Sequence, residues 1–247
     1  MRYLILSDLH SNGEALAAVL SRVRRRHYDR LVVLGDFVGY GADPNDVIDR
    51  VRQLRRRKIL VRGNHDRVAS GLDPGGLFNP VALAAARWTA ETLTGANRQF
   101  LADLPVGPIE VDGRFVVCHG SPFDEDAYIF SDVDAAWSFR TIGLDLCFFG
   151  HSHIPSVFTL EPDGIGVDVV RGPRQRLKLE PGRRYLINPG SVGQPRDRNI
   201  DASFALYDAD EGFIEFERVP YDVASAREKI LRAGLPGALG DRLLLGA

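Results

Sequence analysis

The chain predicts an α/β fold with two sheets, on three observations. Up to residue 66, short continuous apolar runs alternate with helical patterns, which calls for parallel strands joined by right-handed crossovers. From residue 109 the apolar spacing becomes that of short strands separated by turns, so the late sheet reads as mostly antiparallel and the early one as mostly parallel. No low-complexity linker, internal repeat or charge block divides the 247 residues, and 1–247 reads as one domain.

Residues 3–6 are a continuous apolar run, hence a strand buried on both faces. Asn12 caps a helix with Leu16, Val19, Leu20 and Val23 on one face, and Arg24, Arg25 and Arg26 suit its negative end. Residues 31–34 give a second strand. Asp43-Pro44 opens a second helix, a cap followed by a first-turn proline, with Val47, Ile48, Val51 and Leu54 as its stripe. Residues 59–61 give a third strand. A Gly- and Pro-rich loop covers 72–78, Asn79-Pro80 opens an alanine-rich helix closed by Gly95, and a shorter helix covers 98–104. Strands at 109–111 and 115–117 flank the turn pair Asp112-Gly113. Ser131 caps a helix at 133–140, followed by strands at 146–149, 157–160, 167–170, 177–179, 185–187, 204–207 and 213–219. A last amphipathic helix covers 223–233 and stops at Gly234, leaving the Gly-rich 235–247 as a terminal arm or a dimer contact.

Hydrophobic content of 45% with 26% charged residues is that of a soluble globular protein. A net charge of −2 gives no general surface for a nucleic-acid polymer. No apolar run approaches the roughly 18–20 residues that cross a bilayer, and Asp8 comes too early for a secretory signal. Cys118 and Cys147 lie inside apolar runs and read as buried free thiols of a reducing compartment. The expectation is a cytoplasmic protein without a membrane partner.

Five of the six histidines lie where a strand has just ended: His10, His65, His119, His151 and His153. His27, at a helix end, reads as solvated. Asp8, Asp36 and Asn64 share the strand-end placement. Functional groups in α/β sheets gather at the carboxyl ends of strands, so strands pointing one way bring these side chains to one rim. Imidazoles with carboxylates and no thiolate suit Mn²⁺, Fe or Zn²⁺ rather than a structural zinc. Seven donors exceed the need of one ion, whereas two ions sharing a carboxylate use them well, at a spacing of about 3.5–4 Å that suits displacement at phosphorus.

The set Asp8-Leu9-His10, Gly35-Asp36, Gly63-Asn64-His65-Asp66, His119-Gly120 and Gly150-His151-Ser152-His153, in that order, resembles the signature of the calcineurin-like metallophosphoesterases. Ser152 stands where threonine is commoner and keeps the hydroxyl. The run from Asn188 to Arg196 resembles the small bacterial and archaeal phosphodiesterase branch. The resemblance implies a four-layer α/β/β/α sandwich of two mixed sheets. It also implies two divalent ions, Mn²⁺ first, with Fe, Zn²⁺, Ni²⁺ and Co²⁺ as alternatives. Asp8, His10, Asp36 and His153 would hold one ion; Asp36, Asn64, His119 and His151 the other; a bridging hydroxide would attack phosphorus. His65 matches the family's acid, and Asp66 is expected to orient its other nitrogen.

Three further residues are candidate substrate contacts: Arg196 for a phosphate oxygen, Tyr40 as a cleft wall, and Arg67 as a source of positive potential. Asn12 caps its helix and could favour phosphate through the helix dipole. The resulting expectation is a phosphodiesterase acting on a small phosphorylated molecule, nucleotides included. The alternatives are a phosphatase for phosphoprotein or dinucleoside polyphosphate, a nuclease, and a non-catalytic scaffold. A scaffold of this family usually loses ligands or the acid; here all are present.

Overall fold

Alternate side chains of the first strand enter different cores, and this sets the layering. In the computed structural model, which describes residues 1–247, β1 (Arg2–Leu6) sends Tyr3 and Ile5 to one side and Leu4 and Leu6 to the other. After it come α1 (Gly13–Val23), β2 (Arg30–Val33), α2 (Pro44–Gln53) and β3 (Arg57–Leu60), and the three strands pair in parallel. Next are α3 (Asn64–Ser70), α4 (Pro80–Thr92), α5 (Gly95–Ala102), β4 (Ile109–Val111), β5 (Phe115–Val117), α6 (Asp132–Thr141) and β6 (Leu146–Phe148). The chain ends with β7 (Ser156–Glu161), β8 (Gly164–Val169), β9 (Arg174–Lys178), β10 (Arg184–Asn188), β11 (Ala202–Asp208), β12 (Phe213–Val219), α7 (Val223–Arg232) and α8 (Gly237–Leu245).

The strands form two mixed sheets, ordered β3-β2-β1-β11-β12-β9 and β4-β5-β6-β10-β7-β8. This corrects the division into an early parallel and a late antiparallel sheet. Every residue of β11 is buried, so it needs neighbours on both edges and cover on both faces. It finds them beside β1, antiparallel, with Tyr3 opposite Tyr207. Between the sheets lies the core of Tyr3, Ile5, Phe115, Phe148, Ile187 and Tyr207. Its rings meet edge to face, Tyr3 on Phe115 at 4.8 Å and Phe115 on Phe148 at 5.4 Å, contacts worth about 0.5–1.5 kcal/mol each beyond their buried area. Outside the first sheet, α1 and α2 pack through Leu16, Val19, Val47 and Ile48. Outside the second, α6 packs through Ala135 and Phe139. The order helix, sheet, sheet, helix is the expected sandwich.

Local signals held at several ends and failed at three. The Asn12 side chain accepts from Ala15 N at 3.0 Å, and Ser131 caps α6. Asp43 sits at the start of α2 without a capping bond; its carboxylate accepts from Lys229 Nζ at 2.7 Å instead. Gly95 does not close α4 but begins α5, because the Thr94 side chain accepts from Asn97 N at 3.2 Å and caps a new helix. The tail is no free arm: α8 packs on α7 through Leu239 and Leu243, one turn apart on one face. Cys118 and Cys147 are buried unbonded thiols, their sulfurs 3.8 Å apart. No helix is long and apolar enough to cross a membrane.

Candidate metal centre

The parallel strands β1, β2 and β3 of one sheet and β5 and β6 of the other end at a common rim. Asp8 and His10 follow β1, Asp36 follows β2, Asn64 begins α3 after β3, His119 follows β5, and His151 and His153 follow β6. All seven side chains are buried. Five of them, Asp8, His10, Asp36, His151 and His153, have backbone φ between +44° and +65°. Side-chain-bearing residues adopt that region at a cost of about 1–3 kcal/mol each where structure over-determines them, and such residues cluster at functional sites.

The donors fall into two groups that share Asp36: Asp8, His10, Asp36 and His153; and Asp36, His119 and His151. One Asp36 oxygen, Oδ2, lies 3.5 Å from His10 Nε2 in the first group and 3.4 Å from His119 Nε2 in the second. Its other oxygen accepts from the His65 amide at 2.9 Å, which fixes the carboxylate's orientation. Asn64 Oδ1 lies 3.1 Å from His119 Nε2 and so joins the second group.

The outer nitrogens decide what the inner ones offer. His10 Nδ1 faces Val38 O at 3.0 Å, and His153 Nδ1 faces Gln194 O at 2.6 Å. A carbonyl oxygen only accepts, so both Nδ1 atoms carry hydrogen and both Nε2 atoms are bare in the neutral rings. Burial holds both imidazoles well below their ordinary pKa, hence neutral. Yet these two Nε2 atoms stand 3.0 Å apart, lone pair toward lone pair, with Asp8 and Asp36 alongside. That arrangement is repulsive without a cation, and the donor set fits a divalent ion. His151 is set the opposite way: its Nε2 donates to Asp126 O at 3.1 Å, leaving Nδ1 bare. His119 donates from Nδ1 to Leu34 O at 2.8 Å. Burial pulls its pKa down, but the Asp36 charge and hydrogen bond outweigh this and push it up to about 10. A proton therefore stands at His119 Nε2 in the metal-free protein, and an ion binding there must displace it.

The family model of the calcineurin-like phosphoesterase superfamily domain matches residues 1–212. The chain belongs to this superfamily. An uncharacterised protein of Methanocaldococcus jannaschii is 39% identical, the alignment covering 98% of this chain and 97% of that one. The crystal structure of a metallophosphoesterase from Sphaerobacter thermophilus is 38% identical with a TM-score of 0.87, and 100% of both chains superpose. A hypothetical protein of Pyrococcus horikoshii, 22% identical, shares the fold at a TM-score of 0.81 over 100% of this chain and 98% of its own. This phosphoesterase thus carries the superfamily's two-sheet sandwich and clustered Asp and His groups that could hold its divalent metals.

Around the centre of this phosphoesterase the structure brings some expected contacts together and separates others. His65 lines the cleft with Tyr40, Arg67, Tyr128 and Arg196. Burial lowers its pKa to about 4, so the ring is neutral at pH 7. Asp66 does not orient it, which corrects that expectation: the His65 Nδ1 atom has no hydrogen-bond partner. Successive residues of a helix point about 100° apart. Asp66 turns back to accept from Gly63 N at 3.0 Å and Val38 N at 3.2 Å. His65 is held by packing instead, its ring 4.4 Å from Tyr40 and 4.6 Å from Phe78. Gly39, at φ +91°, leaves room for it: a Cβ there would lie 2.3 Å from Nδ1. Arg67 borders the cleft, but its guanidinium pairs with Glu125, Asp126 and Asp73, which offsets its potential. Arg196 has no acidic partner; it donates to Gln194 Oε1 at 2.9 Å and lies over the Tyr40 ring at 5.6 Å. Asn12 stays a cap and also donates to Gly193 O at 2.9 Å, outside the cleft wall. His27 is exposed beside Asp29, away from the rim.

Sequence reasoning missed the residues that brace the donors. Ser191 Oγ donates to Asp8 O at 2.8 Å, and Asn188 Nδ2 donates to Gly150 O at 2.7 Å and Ser152 Oγ at 3.0 Å. The Asn188–Arg196 run, read only as a resemblance, thus splints both the Asp8 and the His151–His153 turns. Tyr128, stacked on His151 at 4.0 Å, gave no local signal.

Proposed function

We propose that this chain hydrolyses a phosphodiester bond of a small molecule, using two divalent ions, Mn²⁺ first. The observation that carries the reading is the Asp36 Oδ2 atom, which faces inward-turned nitrogens of both donor groups. Bound in these two sets of donors, the ions would supply Lewis acidity toward a phosphoryl oxygen and acidify a water as nucleophile. Asp36 would then be the shared ligand, and Asn64 a neutral one that adds no negative charge to repel substrate.

His65 belongs to neither donor group and borders the cleft, so its neutral ring is free to stabilise the leaving oxygen by a donated hydrogen bond. Arg196, the cation on the cleft wall without an acidic partner, would bind a non-bridging phosphoryl oxygen. The Asn188–Arg196 run, which resembles that of the small phosphodiesterase branch, favours a diester over a monoester.

Metal-reconstituted protein should hydrolyse bis(p-nitrophenyl) phosphate with a higher kcat/KM than p-nitrophenyl phosphate. Preference for the monoester would move the reading to a phosphatase. No turnover of either with Mn²⁺, Fe²⁺, Zn²⁺, Ni²⁺ or Co²⁺ would overturn it in favour of a scaffold.

A further inference from the structure

Arg196 stands on a boundary. On one side it closes the metal cleft; on the other it borders an open groove of about 390 Å³, lined also by Ile154, Val169, Arg171, Asp197 and Arg198. The two spaces adjoin, because Ile154 follows the donor His153 and Arg196 belongs to both walls. The charges in the groove are unbalanced. Arg171 and Arg198 are exposed, and none of Arg171, Arg196 and Arg198 is paired with an acid. The groove's own carboxylate, Asp197, is turned onto Arg218, whose side chain is 2% exposed and also donates to Val170 O at 3.1 Å.

Elsewhere arginines at sheltered positions are matched, Arg62 and Arg67 by Glu125, and Arg26 by Glu215 and Glu217. Among the sheltered arginines Arg196 alone lacks an acid, and two further unpaired guanidiniums, Arg171 and Arg198, share its concavity. The Arg198 backbone is fixed as well, at φ +65° with its amide donating to Gly246 O at 2.8 Å, so the fold itself determines its place.

We infer that this groove receives a second phosphate group of the substrate, beyond the scissile one. The substrate is then a diester one arm of which carries a further phosphate or polyphosphate. Guanidinium forks match phosphate oxygens in pairs, and a multiply charged anion relieves the mutual repulsion of the three cations. No bond forms or breaks in the groove; it selects and orients. The inference rests on the phosphoesterase reading of the adjoining cleft.

The test is calorimetric titration of chelator-treated, metal-free protein with inorganic tripolyphosphate at low ionic strength. Wild type should bind one equivalent. Arg171→Ala/Arg198→Ala should weaken binding at least tenfold, whereas Arg24→Ala/Arg25→Ala, an equal charge loss at the far end of α1, should leave it within twofold. Equal weakening by both pairs, or none by the first, overturns the groove, as does absence of binding to wild type. All four side chains are exposed, and an unaltered thermal midpoint verifies folding. Hydrolysis of bis(p-nitrophenyl) phosphate by metal-loaded wild type is measured in parallel. Turnover without groove-dependent binding defeats the inference alone; groove-dependent binding with no turnover of this ester or of p-nitrophenyl phosphate defeats the phosphoesterase reading and leaves the groove as an anion site.

Discussion

Asn64 and His65 are neighbours in the chain, yet one points its amide at His119 and the other packs its ring between Tyr40 and Phe78. That difference has a direct consequence. His65→Ala should lower kcat by about 10²–10³-fold, the range for one lost hydrogen-bond donor to developing charge, while metal analysis still finds the ions bound; loss of metal would make His65 a ligand. Gly39→Ala should slow turnover in the same way, with metal retained, because the new Cβ displaces the ring. The donors were legible in the sequence because each sits in a short motif at a strand end. Gly39, Phe78 and the direction of Asp66 were not, because they depend on which loop folds over which ring. Tyr40 and Arg196 were recognisable only as residue types; their contact with each other is made in space.

Helix α3 illustrates how an element places a site. Its first residues carry Asn64 and His65, and Asp66 turns back to satisfy Gly63 N while also taking Val38 N from the loop after Asp36. Burial, reinforced by the Asp36 charge, pushes the Asp66 carboxyl up to about 8. Asp66→Ala leaves two buried amides without acceptors, at about 1–3 kcal/mol each. Urea unfolding should show a loss of about 2–6 kcal/mol, and Asp66→Asn, which keeps an acceptor oxygen, should lose less. Close agreement of the two variants would mean the amides find water instead. Gly63 is required here because a Cβ would lie 2.1 Å from Asp36 Oδ1. Most elements were legible from their periodicity, but sheet membership was not. The pattern of β11 shows that it is buried on both faces, not that its partner is β1, two hundred residues away. The tail hid its helix because its glycines outweigh the single Leu239–Leu243 spacing.

Across the whole molecule, both sheets must hold their carboxyl ends at one rim although five donors sit on strained backbone. On the outer face of the first sheet, Arg26 and Arg174 converge on Glu215 and Arg22 on Glu217. Burial opposes the Glu215 charge, but the Arg174 and Arg26 guanidiniums overcome it and lower the pKa from 4.5 to about 2. A depressed carboxyl stabilises the fold above its unfolded pKa, and that stability is lost as pH falls through the folded value. Glu215→Gln should therefore be less stable than wild type at pH 7 by about 1–2 kcal/mol, allowing for the solvent exposure of Arg174. The difference should shrink between pH 4.5 and pH 2, as followed by denaturant unfolding; a constant difference would assign it to packing. The central claim is that two ions share Asp36, and the most direct measurement is the metal content of Mn²⁺-loaded protein after gel filtration, wild type against Asp36→Asn. Two ions per chain in wild type and fewer than one in Asp36→Asn is the expected result; one ion in wild type, or two retained in the variant, would contradict it.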